Sequence, residues 1–351
     1  MKFPRLHKFW PYAPAVTGWV LAVAVYAVAG WGLSLYLGAA DQFSPFIYSR
    51  AVVTVTFLLF SLFLGWRGFR MMIVDRPDHL TRELIADLRR MLFNRRMLVA
   101  AAPLFFAFIL FMGTFTSLKS MIPLVQDYRW DETFAAWDRA LHFGIDPWRI
   151  LQPVLGYSPI TFVINLIYNL WFAVMFGVLY WQLFNLKRPV LRIRFFWAFL
   201  LTWVICGNVL AMGLSSGGPC FYGYLVDGPN PFAAQMDYFH SMGESGWPVW
   251  ALQTQDMLWT AYQANATGIG SGISAMPSVH VALAFLFFLL SRSYGRLVQW
   301  FFGIFVFIIM IGSVHLAWHY ALDGYLGAAV AALIWWICGL VLKEPMDEKL
   351  V

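Results

Sequence analysis

Three histidines and a carboxylate near the C-terminal end of the chain have the types and spacing to do chemistry. His280 closes the run SAMPSVH, and His315, His319 and Asp323 follow in HLAWHYALD. The last three are four residues apart, so on a continuous helix they form one stripe, with Asp323 able to accept a hydrogen bond from the His319 imidazole. A carboxylate bound to one ring nitrogen fixes the tautomer and raises the basicity of the other, as a nucleophile or base requires. His280 comes from a separate helix start just after Pro277, where Ser278 and open backbone N–H groups make an anion site. The chemistry this set predicts is phosphoryl transfer. A lone histidine in an apolar helix is often a packing residue, but ionisable groups in membrane spans are costly, and this many on one side point to function.

The elements that must hold them are membrane helices. Hydrophobic residues make up 61% of the 351 and charged residues 12%, with a mean hydropathy of +0.66, a balance no water-soluble domain of this length carries on its surface. Eight segments are long enough, or nearly so, to span: about 15–38, 51–73, 97–117, 159–184, 193–213, 276–291, 297–314 and 317–342. The period-2 alternation of a barrel is absent, so the fold expected is all-α and polytopic. The first span follows Lys2, Arg5 and Lys8 and is too long for a signal-peptide core.

The distribution of basic residues supports the count. Of the 24 Lys and Arg, only Arg50, Lys119, Arg129, Arg139 and Arg149 fall on the connections assigned to the outer side, and every inner connection is basic. That places both termini in the cytoplasm and His280 and His319 at the outer boundary, where a polar headgroup meets a lipid. The net charge of +6 is therefore topological, and no nucleic-acid partner is implied. A bacterial inner membrane, with the site facing the periplasm, is the expected location. Cys206, Cys220 and Cys338 read as packing residues rather than a disulfide framework.

The connections divide the chain into an N-terminal two-helix hairpin with an inner amphipathic helix, residues 1–96, and a six-helix unit, 97–351, with outer connections 118–158 and 214–274. The inner helix carries Leu80, Leu84, Ile85, Leu88 and Leu92 at helical spacing with Arg on its wet face. The first outer connection repeats Trp130, Phe134, Trp137 and Leu141, with Asp131, Glu132, Asp138 and Arg139 assigned to the opposite, solvated face of a helix lying on the membrane. In the second, Gly217, Gly218, Gly268, Gly270 and Gly272 let backbone approach a ligand or bend as a cover for the site. Asn165 and Asn169, four apart in the fourth span, are expected to hydrogen-bond a neighbouring helix.

SAMPSVH and HYALD resemble the second and third signature motifs of the type 2 phosphatidic acid phosphatase superfamily, which read Pro-Ser-Gly-His and Ser-Arg-x5-His-x3-Asp. They are more similar to its inositol phosphoceramide synthase branch, as are GGPCFYG and WDETFAAWDRALHFG. The resemblance runs from about Lys119 to Trp335. It implies a six-helix core formed by spans three to eight, preceded by two added helices. It also implies that His319 attacks phosphorus, Asp323 orients it, His280 protonates the leaving oxygen and Ser278 helps hold the phosphate, with no metal and no cofactor. The substrate would be a lipid or polyprenyl-linked phosphate ester, and the acceptor a hydroxyl compound or water.

The chain departs from the family pattern in three places. No Lys-x6-Arg-Pro motif occurs on the outer side, and Gly312 and Ser313 replace the Ser-Arg of the third motif. Phosphoryl transfer needs positive charge around the equatorial oxygens, so Lys119, Arg129, Arg139 and Arg149 are the candidate substitutes, with Gly218 as a backbone contact. Surface ion pairing competes for each cation because Asp and Glu are interleaved with them. Val279 in place of glycine favours transfer over plain hydrolysis. The rivals are a lipid phosphate phosphatase, a metal-dependent enzyme using His280, His315, His319 and Asp323 as ligands, a transporter or lipid-binding protein that uses the histidines for protonation and an intramembrane serine protease using Ser271, Ser274 or Ser278 with a histidine.

Overall fold

The computed structural model describes residues 13–92 and 94–342. Lys2, Arg5, Lys8, Lys343 and Lys349, on which the placement of both ends rests, lie outside the described residues. Among the described residues the chain is helical with no strand. In order, the helices are α1 (Ala13–Tyr36), α2 (Ser49–Arg70), α3 (Leu80–Leu92), α4 (Arg95–Ser120), α5 (Ile122–Val125), α6 (Asp131–Leu141), α7 (Pro147–Leu155), α8 (Ser158–Phe184), α9 (Pro189–Val204), α10 (Ala211–Gly213), α11 (Tyr222–Leu225), α12 (Ala233–Glu244), α13 (Trp250–Gln263), α14 (Val279–Ser291), α15 (Arg296–His315) and α16 (Ala321–Val341).

Among the described residues, seven helical stretches are long and apolar enough to cross a membrane, so the architecture is all-α and multi-pass. The eighth expected span is shorter. Met276 and Pro277 lie in a bend and Ser278 is extended, so α14 starts only at Val279, giving 13 residues or about 20 Å. It is nevertheless central: α14 packs against α15, α16 and α9, and Val281, Leu283, Ala284, Leu286 and Phe287 are buried.

The two N-terminal helices behave differently. α1 lies along α4 and also touches α9; Trp19 Nε1 donates to the Phe196 carbonyl at 2.9 Å, and Gly30 lets the backbone approach Thr114 and Leu118. α2 stands away, with 6% of its most apolar window buried. It is tied to the bundle by side-chain contacts such as that between Thr56 and Tyr180.

The outer connections are more ordered than a loop reading suggests. The first folds into α5, α6 and α7, and the second into α11, α12 and α13. Together they cover the start of α8, the end of α15 and the start of α16. Phe162 packs tilted against both Trp247 and Trp250, which ties the first turns of α8 to the start of α13. All three cysteines are free and buried, as packing residues are.

Candidate active site

The segment joining α15 to α16 is a tight link rather than a continued helix. α15 ends at His315, and Ala317 adopts φ +60°, outside helical space. The amides of Trp318 and His319 both turn back to the Ser313 carbonyl, at 3.0 and 3.1 Å. The expected stripe of His315, His319 and Asp323 is therefore broken, because the backbone reverses between the first two. The His319–Asp323 contact survives by another route. Asp323 sits at the third position of α16, where its Oδ2 accepts from the Tyr320 amide at 3.1 Å and lies 3.2 Å from His319 Nδ1. The carboxylate thus caps its own helix and holds the imidazole at once. It is fully buried.

Opposite this link, Ser278 caps α14. Its hydroxyl accepts from the Val281 amide at 3.4 Å, and its own amide donates to the Asp323 carbonyl at 3.0 Å, which joins the two histidine-bearing segments. His280 follows within an aromatic cage supplied by one turn of α8. Tyr168 stacks on its ring at 5.1 Å, Trp171 lies 4.2 Å away and Phe172 meets it edge-on at 5.8 Å. Trp171 Nε1 also donates to the His280 carbonyl at 3.0 Å. These contacts fix the position of the ring.

His280 and His319 line one cavity of about 140 Å³, and Lys119, from the outer end of α4, is the cation in its wall. Two glycines bring backbone over the site. Gly272, at φ +92°, passes so close that a Cβ would lie 2.7 Å from the Lys119 carbonyl carbon. Gly218, at φ +95°, would place one 2.7 Å from the Trp318 carbonyl oxygen. Any side chain at either position would displace the segments that carry Lys119 and His319.

The other candidate residues fall elsewhere. Arg139 pairs with Asp146 at 2.8 Å. Arg149 reaches the same carboxylate at 3.3 Å and lies over the Trp148 ring, while Arg129 is exposed. None of the three lines the cavity, and neither do Ser278 or Gly218; Gly217 does. Burial and the Lys119 charge hold the His319 imidazole well below its ordinary range, at about 3, against a backbone hydrogen bond with Ala275 that works the other way. His319 is therefore neutral at physiological pH.

Two residues that position this site were assigned to solvent on the sequence. Asp131 and Asp138 are buried, while Trp137 and Leu141 are 52% and 59% exposed. The two aspartates are turned inward because they meet backbone donors there, while Glu132 stays exposed. Asp131 accepts from the Gly217 and Gly218 amides, both at 2.8 Å, and from the Tyr320 hydroxyl at 2.9 Å. Asp138 accepts from the Ala321 and Leu322 amides, both at 3.0 Å, at the start of α16. Burial pushes both carboxyls above the usual carboxylate range, and these hydrogen bonds pull them back. The signal was in the spacing: Asp131, Phe134 and Asp138 are three and four apart and share one helical face.

His315 lies outside the cavity. Its Nε2 is 2.9 Å from Thr161 Oγ1, which in turn contacts the Tyr238 hydroxyl at 2.8 Å, and Phe239 packs edge-on against the ring. Gln235 Nε2 donates to the Val314 and His315 carbonyls at 2.9 and 3.0 Å. His315 therefore ties α15 to α8 and to the covering helix α12. The proposed four-ligand metal set is not assembled: among the described residues no three His, Cys, Asp or Glu side chains are grouped to hold an ion.

A family model described as the PAP2 superfamily matches residues 132–337, a stretch that contains α7 to α15 and most of α6 and α16. Comparison with curated proteins gives no match, and neither does comparison with solved structures.

Proposed function

From the chain's membership of the PAP2 superfamily, which supports phosphatase or phosphotransferase chemistry on phosphate esters, we propose that it acts on a lipid-linked phosphate ester through a phosphohistidine on His319. The observation that carries this reading is the placement of a buried, Asp323-held His319 in one small cavity with His280 and Lys119. With Nδ1 directed at Asp323, the lone pair resides on Nε2, the nitrogen that attacks phosphorus. As the N–P bond forms, the ester P–O bond breaks and His280 gives its proton to the leaving oxygen. In the second half the acceptor oxygen attacks, the N–P bond breaks and His280 takes the acceptor's proton.

Charge on the phosphoryl oxygens is met by Lys119 and by the start of α14. The first amides of a helix have no intrahelical partner, and Val279 and His280 stand in the cavity wall. A single lysine and a helix N-terminus replace the arginines of the family motif, with Ser278 holding that terminus in shape. Transfer of a phospho-headgroup to a hydroxyl, in the manner of the inositol phosphoceramide synthase branch, is favoured over hydrolysis because the aromatic cage and glycine covers leave little room for bulk water. The site faces the periplasm or an equivalent lumen.

The test is product analysis from labelled phospholipids and polyprenyl phosphates, in detergent with excess chelator. Product formed under chelation by the natural chain and lost in His319→Ala supports the reading; activity that requires added zinc or iron contradicts it.

A further inference from the structure

The asparagine pair of α8 does not hydrogen-bond a neighbouring helix, the bland use expected of it. Asn169 Nδ2 donates to the Asn165 carbonyl at 2.8 Å and to Asn165 Oδ1 at 3.3 Å, both within α8. Asn165 is fully buried, with no partner for its Nδ2 among the described residues. Asn169 is exposed within a membrane-spanning helix, yet it lines the cavity that holds His280, His319 and Lys119. A carboxamide there is expensive unless something polar meets it. Because its NH₂ is committed to α8, its Oδ1 is the atom offered outward, as an acceptor.

The location fixes what can arrive. The outer turns of α8 pack on the cover: Thr161 meets Tyr238, and Phe162 meets Trp247. Asn169 lies about 16 Å further along the helix from Ser158, in the same turn as the three aromatics that cage His280. Its neighbours Leu166, Leu170 and Phe172 are 37%, 48% and 49% exposed, so this wall of the cavity faces lipid. A space of 140 Å³ is about that of a benzene-sized cavity. It takes a phosphoryl group and the atoms next to it, while the apolar remainder of a substrate stays in the bilayer.

Resting on the function proposed above, we infer that Asn169 is an acceptor-binding residue at a lateral portal: its Oδ1 takes a hydrogen bond from the hydroxyl of an amphiphilic alcohol dissolved in the outer leaflet. That alcohol reaches the phosphohistidine sideways, past Phe172. There the hydroxyl turns its one proton from Asn169 to His280, which takes it as the oxygen forms the new P–O bond and the His319 N–P bond breaks. Asn165, by accepting from Asn169 Nδ2, keeps the carboxamide turned this way. Asn169 acts only in the second half-reaction, so it affects partition of the intermediate between alcohol and water rather than its formation.

The experiment measures label on His319 and the ratio of transferred to hydrolysed product, with a long-chain alcohol supplied in mixed micelles. In Asn169→Leu the ratio should fall about tenfold, the worth of one hydrogen bond, and the labelled intermediate should persist longer. Asn169→Gln, which keeps an acceptor oxygen, should recover part of the ratio. If the leucine variant does not fold, Asn169→Ala provides the same comparison. An unchanged ratio in a variant that still labels overturns the portal and leaves the phosphohistidine reading standing. Absence of any label on the natural chain defeats that reading itself, and this inference with it.

Discussion

His315 and His319 are four residues apart and both largely buried, yet their surroundings differ. His319 faces a cavity and is held by a carboxylate. His315 faces a threonine and an aromatic ring and closes a gap between α8, α12 and α15. The difference arises in the link between them. Ala317 leaves helical space and the chain folds back on Ser313, so one histidine ends a helix while the other stands free of both. A buried histidine becomes reactive through what its second nitrogen meets, and only one of these has a carboxylate.

Substitutions should separate the two sharply. His319→Ala should lower turnover by roughly 10⁵-fold or to background, since it removes the proposed nucleophile; turnover assays on purified protein check this. Asp323→Asn should cost about 10²–10⁴-fold with little change in KM, because it frees the tautomer and orientation of His319 without deleting it. Asp131→Ala should act through position. Loss of a buried acceptor leaves the Gly217 and Gly218 amides and the Tyr320 hydroxyl unpartnered, for a cost of about 3 kcal/mol or more in stability, read as a lower thermal midpoint in detergent. His315→Leu should keep turnover within about threefold and cost about 1–2 kcal/mol. If it instead matched His319→Ala in turnover with its fold intact, the division between the two would collapse.

The smallest effect concerns pH. His319 is held neutral, with its folded-state value lowered to about 3, so protonation of this group should not depress phosphoenzyme formation between pH 8 and 5. A phosphodiester donor, whose own charge is constant over that range, makes the check clean; an acid limb near 6.5 that belongs to His319 would contradict it. The same shift has a stability consequence. An imidazole that is neutral when folded and titrates near 6.5 when unfolded contributes no penalty above 6.5, and stability declines as pH falls from there toward 3.

The amphipathic helices α3 and α6 show where sequence reading succeeds and stops. α3 lies as its pattern implies: Arg82, Arg89 and Arg90 are exposed, Leu84 and Leu88 are half-buried, and Asp87 pairs with Arg67 at 2.7 Å. α6 has an equally clear stripe, but its acids meet backbone donors of two distant segments. Periodicity locates a face; it does not say that another loop will arrive with unpaired amides. The helical multi-pass fold and the His319–Asp323 contact were legible because hydropathy and i,i+4 spacing are local. The selection of Lys119 from the four candidate cations was not, because it depends on α4 ending beneath the Gly272 cover. Nor was the direction of Asn169, which only the packing of α8 reveals.

The most direct test of the central claim is to trap the intermediate. The natural chain, mixed with a labelled lipid-linked phosphate ester in detergent and quenched in base, should carry label that is stable in alkali and lost in acid, and mass spectrometry should place it on the peptide containing His319. His319→Ala should carry none. Label on another residue, or turnover of the natural chain without any such adduct when the second half-reaction is slowed by cold, would contradict the account.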